Sequence, residues 1–389
     1  MNRDLLSGEY KRFPKHWDVI PFTKAFKDMT GGQTKIPKGD YLERGDIPII
    51  DQGQDLIGGY TNEYQAVCDI RLPCVLFGDH TKIFKFVTKP FALGADGVKV
   101  LSEANNIDPK FAYYFLNTLN LPDVGYSRHF RFLKRTFFPL PPLEEQRRIA
   151  AILDKADGVR RKRKEAIRLT EELLKSTFLE MFGYSSDESV SIGELLDKGV
   201  LLLHKDGNHG SNYPRTSEFG IEGIPFLSAN CFSDSGEMIT DNVKFLSESK
   251  ANKLKIGWLE HSDVLLAHNA TVGRVALYDG RYKQALVGTS LTIFRPHREY
   301  LLPEFLFGVL RSEMFQKQLA HNMEQSTRNQ VPITAQRDLK IKLAPLKKQL
   351  KFKELFHHVM NISKKYESSN QESENLFNSL LQKAFRGEL

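Results

Sequence analysis

Residues 138–183 read FPLPPLEEQRRIAAILDKADGVRRKRKEAIRLTEELLKSTFLEMFG, and a weaker copy, IKLAPLKKQLKFKELFHHVMNISKKYESSNQESENLFNSLLQKAFRGEL, occupies residues 341–389. Both copies begin with a Pro-Leu step that is followed three residues later by a glutamine, Gln146 in the first copy and Gln349 in the second. A duplication of this length indicates that the chain is built from two related halves.

The two copies have the same length. Leu143 and Leu346, near their starts, are 203 residues apart, and the closing phenylalanines Phe182 and Phe385 have the same separation. Equal spacing at both ends predicts two elements of one length, with nothing inserted or deleted.

Apolar residues recur every three or four positions along both copies, which predicts two long helices with a coiled-coil seam. The prolines at the start of each copy fit a helix N-terminus, because the N–H that proline lacks has no partner there. A helix of about 40 residues is roughly 60 Å long, too long to be buried in one small domain, so we predict that each copy packs against the other. The predicted helix and partner interface comprises Ile149, Ile152, Val159, Leu173, Met181, Phe352, Leu355, Val359, Leu376 and Leu380.

The composition fits a protein of two or three domains with a polyanionic partner. The chain has 389 residues, of which 41% are hydrophobic, and a net charge of +7. No run of 18 apolar residues occurs, and the first 17 residues lack the apolar core of a signal peptide. The three cysteines show no CxxC spacing, which fits a reducing compartment, and we predict a cytoplasmic protein.

The chain alternates between globular and helical segments. Short β-prone runs, separated by Gly, Asp and Asn turn signals, fill two blocks, and each block also contains one short helical stretch. The predicted fold class is mixed α+β, with two β-rich domains in tandem. The predicted domains are a β-rich domain at 1–137, a helix at 138–183, a second β-rich domain at 184–340 and a second helix at 341–389.

The two β-rich blocks resemble each other. GDIPIIDQGQ at 45–54 matches EGIPFLSANC at 222–231, and CVLFGDHTKIFKF at 74–86 parallels DVLLAHNATVGRVAL at 263–277. Similar scaffolds with different loops predict two related surfaces that read different targets.

The stretch PLPPLEEQRRIAAIL at 139–153, its C-terminal repeat and the tandem architecture resemble the specificity subunits of type I restriction–modification systems. The resemblance covers essentially the whole chain. It implies that the β-rich blocks are target-recognition domains in a pseudo-twofold repeat, and that the two helices are spacers that pack antiparallel. The second copy departs from the pattern, since it reads LAPLKKQ without the Pro-Pro and Glu-Glu pairs, which leaves its partner contacts open.

The same resemblance implies a function in DNA recognition. The chain would read a two-part site in double-stranded DNA, recruit two methyltransferase subunits and be joined by restriction (translocase) subunits. S-adenosylmethionine, ATP and Mg would be bound by those partners, while this chain would bind no cofactor, no metal and no membrane. A rigid helix pair would set the gap between half-sites, because half-sites on one face of B-DNA recur about every 34–36 Å. The alternative is that the helices only hold two domains together.

Catalytic motifs are missing from the sequence. The single Pro-Pro pair, Pro141-Pro142, lies between leucines, unlike the Asn/Asp-Pro-Pro-aromatic motif that the resemblance associates with amino-methyltransferases. No glycine-rich phosphate loop and no GxSxG motif occurs, and the adjacent His357 and His358 would point to different sides of a helix. We predict a subunit without catalysis of its own. Two alternatives stay open: a coiled-coil scaffold that binds protein, and a methyltransferase or nuclease with an unrecognised site.

Two stretches of the first block are candidates for DNA contact. GYSRHFRFLKR at 125–135 mixes basic and aromatic residues, and FGDHTK at 77–82 is a polar turn between apolar runs. Arginine can bridge guanine O6 and N7, and arginine or lysine can hold phosphates. The alternatives are a solvated basic loop and an ordinary turn. The candidate residues are His80, Thr81, Lys82, Arg128, His129, Arg131 and Lys134.

Three polar loops are the candidates in the second block, at 204–215, 267–274 and 325–330. Asparagine is a natural bidentate reader of adenine, and the third loop corresponds in position to 125–135. The candidate residues are Lys205, Asn208, His209, Arg215, His268, Asn269, Arg274, Ser326, Arg328 and Asn329. The basic run RRKRK at 160–164 fits either a solvated helix face or contact with DNA or a partner.

Overall fold

The computed structural model describes residues 13–94, 97–104, 106–125, 127–183, 189–324 and 329–389. These residues form two compact units. One runs up to Arg163 and resumes at Ser369–Leu389, and the other comprises Lys164–Ser368. Both boundaries fall inside the long helices, so each unit contains a β-rich domain and part of both helices.

The two halves of the chain contain similar elements in a similar order. The first half has β1 (Asp18–Pro21), α1 (Phe22–Ala25), β2 (Phe26–Asp28), β3 (Lys35–Ile36), β4 (Ile47–Ile50), β5 (Gly59–Thr61), β6 (Cys74–Gly78), β7 (Phe84–Val87), β8 (Ala92–Gly94), β9 (Val98–Glu103), α2 (Pro109–Leu116), α3 (Phe130–Leu133), β10 (Phe137–Leu140) and α4 (Leu143–Phe182). The second half has β11 (Ser189–Ser191), α5 (Ile192–Asp197), β12 (Leu201–Asp206), β13 (Phe219–Gly220), β14 (Ile224–Leu227), β15 (Lys244–Leu246), α6 (Glu248–Ala251), β16 (Val264–Ala267), β17 (Val275–Leu277), β18 (Leu286–Val287), β19 (Leu291–Pro296), α7 (Pro303–Arg311), α8 (Glu313–Glu324), α9 (Ile333–Gln336), β20 (Lys340–Lys342) and α10 (Leu346–Ala384). The structure thereby confirms the mixed helix-and-strand fold with two tandem domains.

Two four-stranded sheets form the centre of the first unit. One has the order β2-β9-β6-β7 with antiparallel neighbours. The other has the order β3-β8-β4-β5, in which β8 runs parallel to both β3 and β4. Strand β6, the apolar run CVLFG, is buried along its whole length, as expected for a strand between two others that packs on both faces.

The second unit repeats this arrangement. Its sheets have the orders β12-β19-β16-β17, again antiparallel, and β13-β15-β14-β18, in which β14 and β18 are parallel. In each unit a small antiparallel pair, β1–β10 or β11–β20, lies just before the long helix that follows. The separation of 203 residues seen between the two copies also holds for the starts of α3 and α9 and of β10 and β20.

The long helices α4 and α10 run antiparallel. In the first unit, Arg148 near the start of α4 donates a hydrogen bond to a backbone oxygen of Leu389 at 2.7 Å. Twelve residues further along α4, Arg160 pairs with Glu374 at 3.1 Å. Glu374 precedes Leu389 in the chain and lies in α10. Contacts that move forward along one helix and backward along the other require opposite directions.

The packing face of the helices differs from the predicted one. Four predicted interface residues are 44–58% exposed: Val159, Leu173, Leu355 and Leu376. Among the other predicted residues, Ile149, Phe352 and Val359 are buried, and Ile152, Met181 and Leu380 are half-buried. The side chains that are buried in place of the first four include Leu174, Phe356 and Phe377.

Beside Leu173 and Leu355 the packed residues are the adjacent apolar Leu174 and Phe356, whereas beside Val159 and Leu376 part of the helix seam is polar. Asp157 and Ser373 are buried, and Arg160 holds Asp157 at 2.6 Å while its guanidinium lies 4.4 Å from the ring centre of Phe377. Arg163 donates to the hydroxyl of Ser373. A search for apolar residues at helical spacing cannot find a seam of this kind, and it selects neighbouring apolar residues instead.

The repeated glutamine of the first copy fastens α2 to the start of α4. Gln146 is fully buried. Its Oε1 accepts the N–H of Asp108, the N-cap residue of α2, at 2.8 Å. Its Nε2 donates to the carbonyls of Pro141 at 2.8 Å and Asn106 at 3.0 Å.

Gln349 makes the same three bonds in the second unit. Its Oε1 accepts the N–H of Leu302, which precedes α7, at 2.8 Å. Its Nε2 donates to the carbonyls of Ala344 at 2.8 Å and Tyr300 at 3.2 Å. The glutamine spacing noted in the sequence therefore has a structural cause in both halves. Within the described residues, no helix combines the length and the apolar character needed to cross a bilayer.

Candidate nucleic-acid interface

In the first unit, the loop 51–58 after β4 packs against the turn 79–82 between β6 and β7. The His80 N–H donates to the side-chain oxygen of Gln52 at 3.2 Å. The Thr81 hydroxyl donates to the backbone carbonyl of Gln52 at 2.7 Å. The loop 51–58 and the turn 79–82 are thus adjacent on the surface of the first unit.

A third segment, the residues just before α3, joins the same surface. The backbone N–H of His129 donates to the carbonyl of Asp79 at 2.8 Å, and the N–H of Phe130 donates to the Asp79 carboxylate at 2.6 Å. The turn 79–82 is therefore held from both sides, by the loop 51–58 and by the chain that leads into α3.

The second unit joins a turn and a segment in the same manner. The turn 268–273 lies between β16 and β17, and Val331, just before α9, donates its N–H to the carbonyl of His268 at 2.9 Å. His268 and Asp79 are each the first residue after the equivalent strand, β16 or β6. The N–H of Ala270 also donates to the carbonyl of Asn329 at 3.3 Å. The two units therefore present equivalent loops that carry different side chains.

Two exposed cations of the first unit, Arg131 and Lys134, pack against aromatic rings. The guanidinium of Arg131 lies 4.7 Å from the ring centre of Phe132, and the ammonium of Lys134 lies 5.5 Å from that of Phe130. Such cation–π contacts restrain a long side chain while its charge stays accessible. Eight of the predicted DNA-contact residues are exposed: Thr81, Arg128, Arg131, Lys134, Lys205, His209, Arg215 and Asn329.

Two predicted histidines are inside the protein. His129 is 1% exposed, and its Nδ1 lies 3.0 Å from the carbonyl of Asp79. His268 is also buried, with its Nδ1 2.8 Å from the hydroxyl of Thr292. A base or phosphate cannot reach these rings in this structure, so the geometry gives them the task of holding the loops.

Asn208 and Arg274 are likewise engaged within the second unit. Asn208 is buried and donates its side-chain N–H to the carbonyl of Val287 at 3.1 Å. Arg274 is half-buried and bonds to the loop 228–234, including Asp234 at 2.5 Å. Because their donors are directed inward, the geometry also favours a positioning task for these two residues over contact with bases.

The remaining predicted residues are partly exposed or not described. His80, Lys82 and Asn269 are half-buried. Lys82 has a positive φ of 61° at the tip of its turn, and its ammonium lies 3.5 Å from the Asp123 carboxylate. Ser326 and Arg328 lie outside the described residues.

The basic run 160–164 is partly engaged by contacts within the chain. Besides the contacts of Arg160 and Arg163 in the helix seam, Arg161 lies 3.0 Å from a carboxylate oxygen of Asp157. The charges of Arg160 and Arg161 are therefore paired with helix carboxylates, while Arg161, Lys162 and Lys164 are exposed.

Burial decides the charge of the inner histidines in the second unit. Desolvation lowers the pKa of His204 to about 4, and its Nε2 lies 3.2 Å from the side-chain oxygen of Gln336. Desolvation also lowers the pKa of His268, although Asp206 opposes this effect. Both rings are neutral near pH 7, so neither adds positive charge to the surface.

Sequence reasoning missed Lys85 and the exposed loop next to it. Lys85 lies in the apolar strand β7, yet its side chain is 5% exposed and contacts the loop 51–58. A single lysine within an otherwise apolar strand pattern is the signal that could have indicated this role. Among the residues that the structure describes, no group of His, Cys, Asp and Glu side chains is arranged to hold a metal ion.

A family model matches most of the chain. The model for the "Type I restriction modification DNA specificity domain" matches residues 17–169 and again residues 191–373. The two matches coincide with the two halves of the internal repeat.

Individual relatives carry corresponding names. The specificity subunit of the type I restriction enzyme MjaVIII from Methanocaldococcus jannaschii is 24% identical over 379 residues, covering 90% of this chain and 88% of the relative. The EcoR124I/EcoR124II specificity subunit from Escherichia coli is 26% identical over 298 residues, covering 70% and 69% of the two chains. The crystal structure of a type I restriction–modification S subunit from M. genitalium has a similar fold, with a TM-score of 0.59, 16% identity, and coverage of 95% of this chain and 96% of that chain.

Proposed function

Because the chain belongs to the family of type I restriction–modification DNA specificity subunits, we propose that each of its units reads one half of a two-part DNA site. The observation that carries this proposal is the repeated surface: equivalent loops meet at the same strand ends in both units but differ in sequence. Two surfaces with the same backbone arrangement but different side chains can bind two half-sites of different base sequence.

The antiparallel pair α4 and α10 would set the gap between the half-sites. Each helix is continuous over about 40 residues, which corresponds to roughly 60 Å. A rigid spacer of fixed length favours one separation and one rotation of the half-sites along B-DNA. Adding or removing residues in both helices would then change the unspecified gap and leave the read bases unchanged.

Recruitment of partner subunits would use the outer faces of the helices. Val159, Leu173, Leu355 and Leu376 are apolar and exposed although they lie on long charged helices. Exposed apolar side chains of this kind suit contact with another chain. We propose that two methyltransferase subunits dock on the helix pair and that restriction subunits join them. The partners would supply S-adenosylmethionine, ATP and Mg, and this chain would supply no catalytic group.

Methylation mapping tests the proposal directly. The chain is co-expressed with its cognate methyltransferase subunit in a host without DNA methylation, and the modified bases are located by sequencing. The expected result is a motif of two short defined parts that are separated by a gap of fixed length. A short contiguous motif would refute the assignment of one half-site to each unit. Absence of methylation, with the partner bound and active on another specificity subunit, would refute the assignment of DNA reading to this chain.

A further inference from the structure

In the first unit, one buried cation holds the loop that follows β4. The Lys85 ammonium donates to the carbonyl of Asp51 at 2.7 Å and to the carbonyl of Asp55, and it lies 3.7 Å from the Asp51 carboxylate. The ammonium thus has two carbonyl acceptors and a carboxylate at ion-pair distance, all from the loop 51–58.

In the second unit, a different cation does the same for the loop that follows β14. Arg274 donates from Nη1 to the carbonyls of Ala229 at 3.2 Å and Phe232 at 2.8 Å. Its Nε and Nη2 donate to the Asp234 carboxylate at 3.0 and 2.5 Å. Asp55 and Phe232 are both the fifth residue after the strand, so one clamped carbonyl is equivalent in the two units, while the other belongs to the first residue after β4 (Asp51) and the second after β14 (Ala229).

The two cations themselves are not equivalent in sequence. Lys85 is the second residue of β7, whereas Arg274 precedes the first residue of β17. The contact is therefore not a simple remnant of the duplication. Two halves that have diverged in sequence keep a cation at the same place by different means, which indicates that the position of the loop matters.

Placing a cation there is costly, because burial removes the hydration of a charged group. Burial lowers the pKa of Lys85, and the Asp51 carboxylate opposes this effect. A loop that only connected two strands could be closed by ordinary turn bonds. The free energy spent on burying the cation can be recovered when a ligand binds. A loop whose side chains are already held in one geometry loses less conformational freedom on binding.

The clamped loops carry side chains suited to base edges. The loop 51–58 exposes Gln54 and the apolar Leu56 and Ile57, of which Leu56 is 52% exposed. The loop 228–234 exposes Asn230 and Asp234. Gln and Asn can bond to adenine, Asp can accept from cytosine N4, and apolar side chains contact the thymine methyl group.

We propose that the loops 51–58 and 228–234 are base-reading loops, one for each half-site, and that Lys85 and Arg274 are the positioning residues that hold them. This inference rests on the proposed function, and it adds two loops to the candidates chosen from the sequence. The base contacts come from the loops, while the cations act through the loop backbone.

The test compares methylation motifs of variants, each co-expressed as the full chain with its methyltransferase subunit. Lys85→Met keeps the length of the side chain but removes its charge and its donors. We expect it to lower the preference for the correct base in one half-site by about 10-fold or more at one or more positions, with the other half-site unchanged. Arg274→Met should do the reverse, and Arg274→Lys should restore part of the preference because it keeps a donor to the loop carbonyls.

Lys110→Met and Arg295→Met are the matched controls. Lys110 pairs with Asp154 at 2.7 Å and Arg295 with Asp263 at 2.8 Å, so each control loses an ion pair without touching either loop. They should leave the motif unchanged. Because each control lies in the same unit as the variant it accompanies, an unchanged motif in the controls separates a misplaced loop from the loss of an ion pair in that unit.

Exposed variants keep the proposal testable if the buried ones fold poorly. Gln54→Ala and Asn230→Ala remove exposed side chains and should each alter one half-site without a change in melting temperature. If these variants leave every base of a two-part motif unchanged, the loop assignment is wrong while the proposed function stands. If Lys85→Met weakens both halves equally, its positioning role is wrong. If the unaltered chain yields no two-part motif, the proposed function itself fails.

Discussion

Replacing Gln146 with alanine removes the hydrogen bonds that connect α2 to the start of α4. Gln349 makes the equivalent bonds in the second unit. The substitution leaves the Asp108 N–H and the carbonyls of Asn106 and Pro141 without their side-chain partner, at a position from which water is excluded. A buried polar group that loses its partner costs about 1–3 kcal/mol, and part of this cost is relieved when the site relaxes. We expect a loss of about 3–5 kcal/mol in the free energy of unfolding, a large part of the ~5–15 kcal/mol that stabilises a typical domain.

Hydrogen exchange detected by mass spectrometry gives the local readout, and urea unfolding gives the overall one. Because a chain with two units need not unfold in one step, the exchange at 106–116 is the more direct measure. Gln146→Ala should accelerate exchange there and leave 300–311 unchanged, and Gln349→Ala should do the opposite. Gln371→Ala is the control, since Gln371 is exposed and its side chain donates to that of Asn375, one turn further along the same helix, at 3.2 Å. If Gln146→Ala costs less than about 1 kcal/mol and leaves the exchange at 106–116 unchanged, the reasoning fails.

Three further outcomes can be checked with standard assays. Burial lowers the folded-state pKa of His204 to about 4, so the unfolded chain binds the proton more readily. The free energy of unfolding should therefore fall by on the order of 2–3 kcal/mol as the pH drops from about 6.5 towards 4. Urea titration at a series of pH values should show a smaller loss for His204→Leu. Leu173→Asp, at an exposed helix position, should reduce capture of the methyltransferase subunit at least ~10-fold with an unchanged melting temperature. Leu174→Asp, at the adjacent buried position, should instead lower the melting temperature. Equal capture by Leu173→Asp and the unaltered chain would contradict the docking proposal. Arg128→Ala and Lys134→Ala should each lower the slope of log affinity against log salt concentration by up to about 1. The slope is measured by fluorescence anisotropy of labelled duplex DNA with the assembled complex. An unchanged slope would exclude a phosphate contact.

The duplication, the long helices and the β-rich blocks could be predicted from local pattern. Helical spacing of apolar residues, prolines at the helix starts and equal separations of 203 residues lie entirely in the order of residues. The structure has helices at Leu143–Phe182 and Leu346–Ala384, inside the predicted segments 138–183 and 341–389, whose first residues instead belong to the strands β10 and β20. A regular element is determined by contacts between near neighbours, so its presence can be read without the fold.

The candidate surface was only partly predictable. The correspondence between the loops before α3 and α9 was visible in the sequence, and Arg128 and Lys134, which are predicted to contact DNA, are exposed. His129, Asn208 and His268 were selected with them because a polar residue in a loop has the same appearance whether it faces water or the interior. Which of these it faces depends on residues such as Asp79 and Val287 that are distant along the chain.

By itself, the sequence determined the length and duplication of the helices, the tandem order of the blocks and the family to which the chain belongs. Only the tertiary structure decided which helix face is packed, because Arg160, Asp157 and Ser373 replace apolar residues in part of the seam. It also decided that Lys85 and Arg274 turn inward to hold loops from other parts of the chain. The physical reason is that apolar periodicity arises from local geometry, whereas a buried polar side chain is stable only with partners that the fold brings to it.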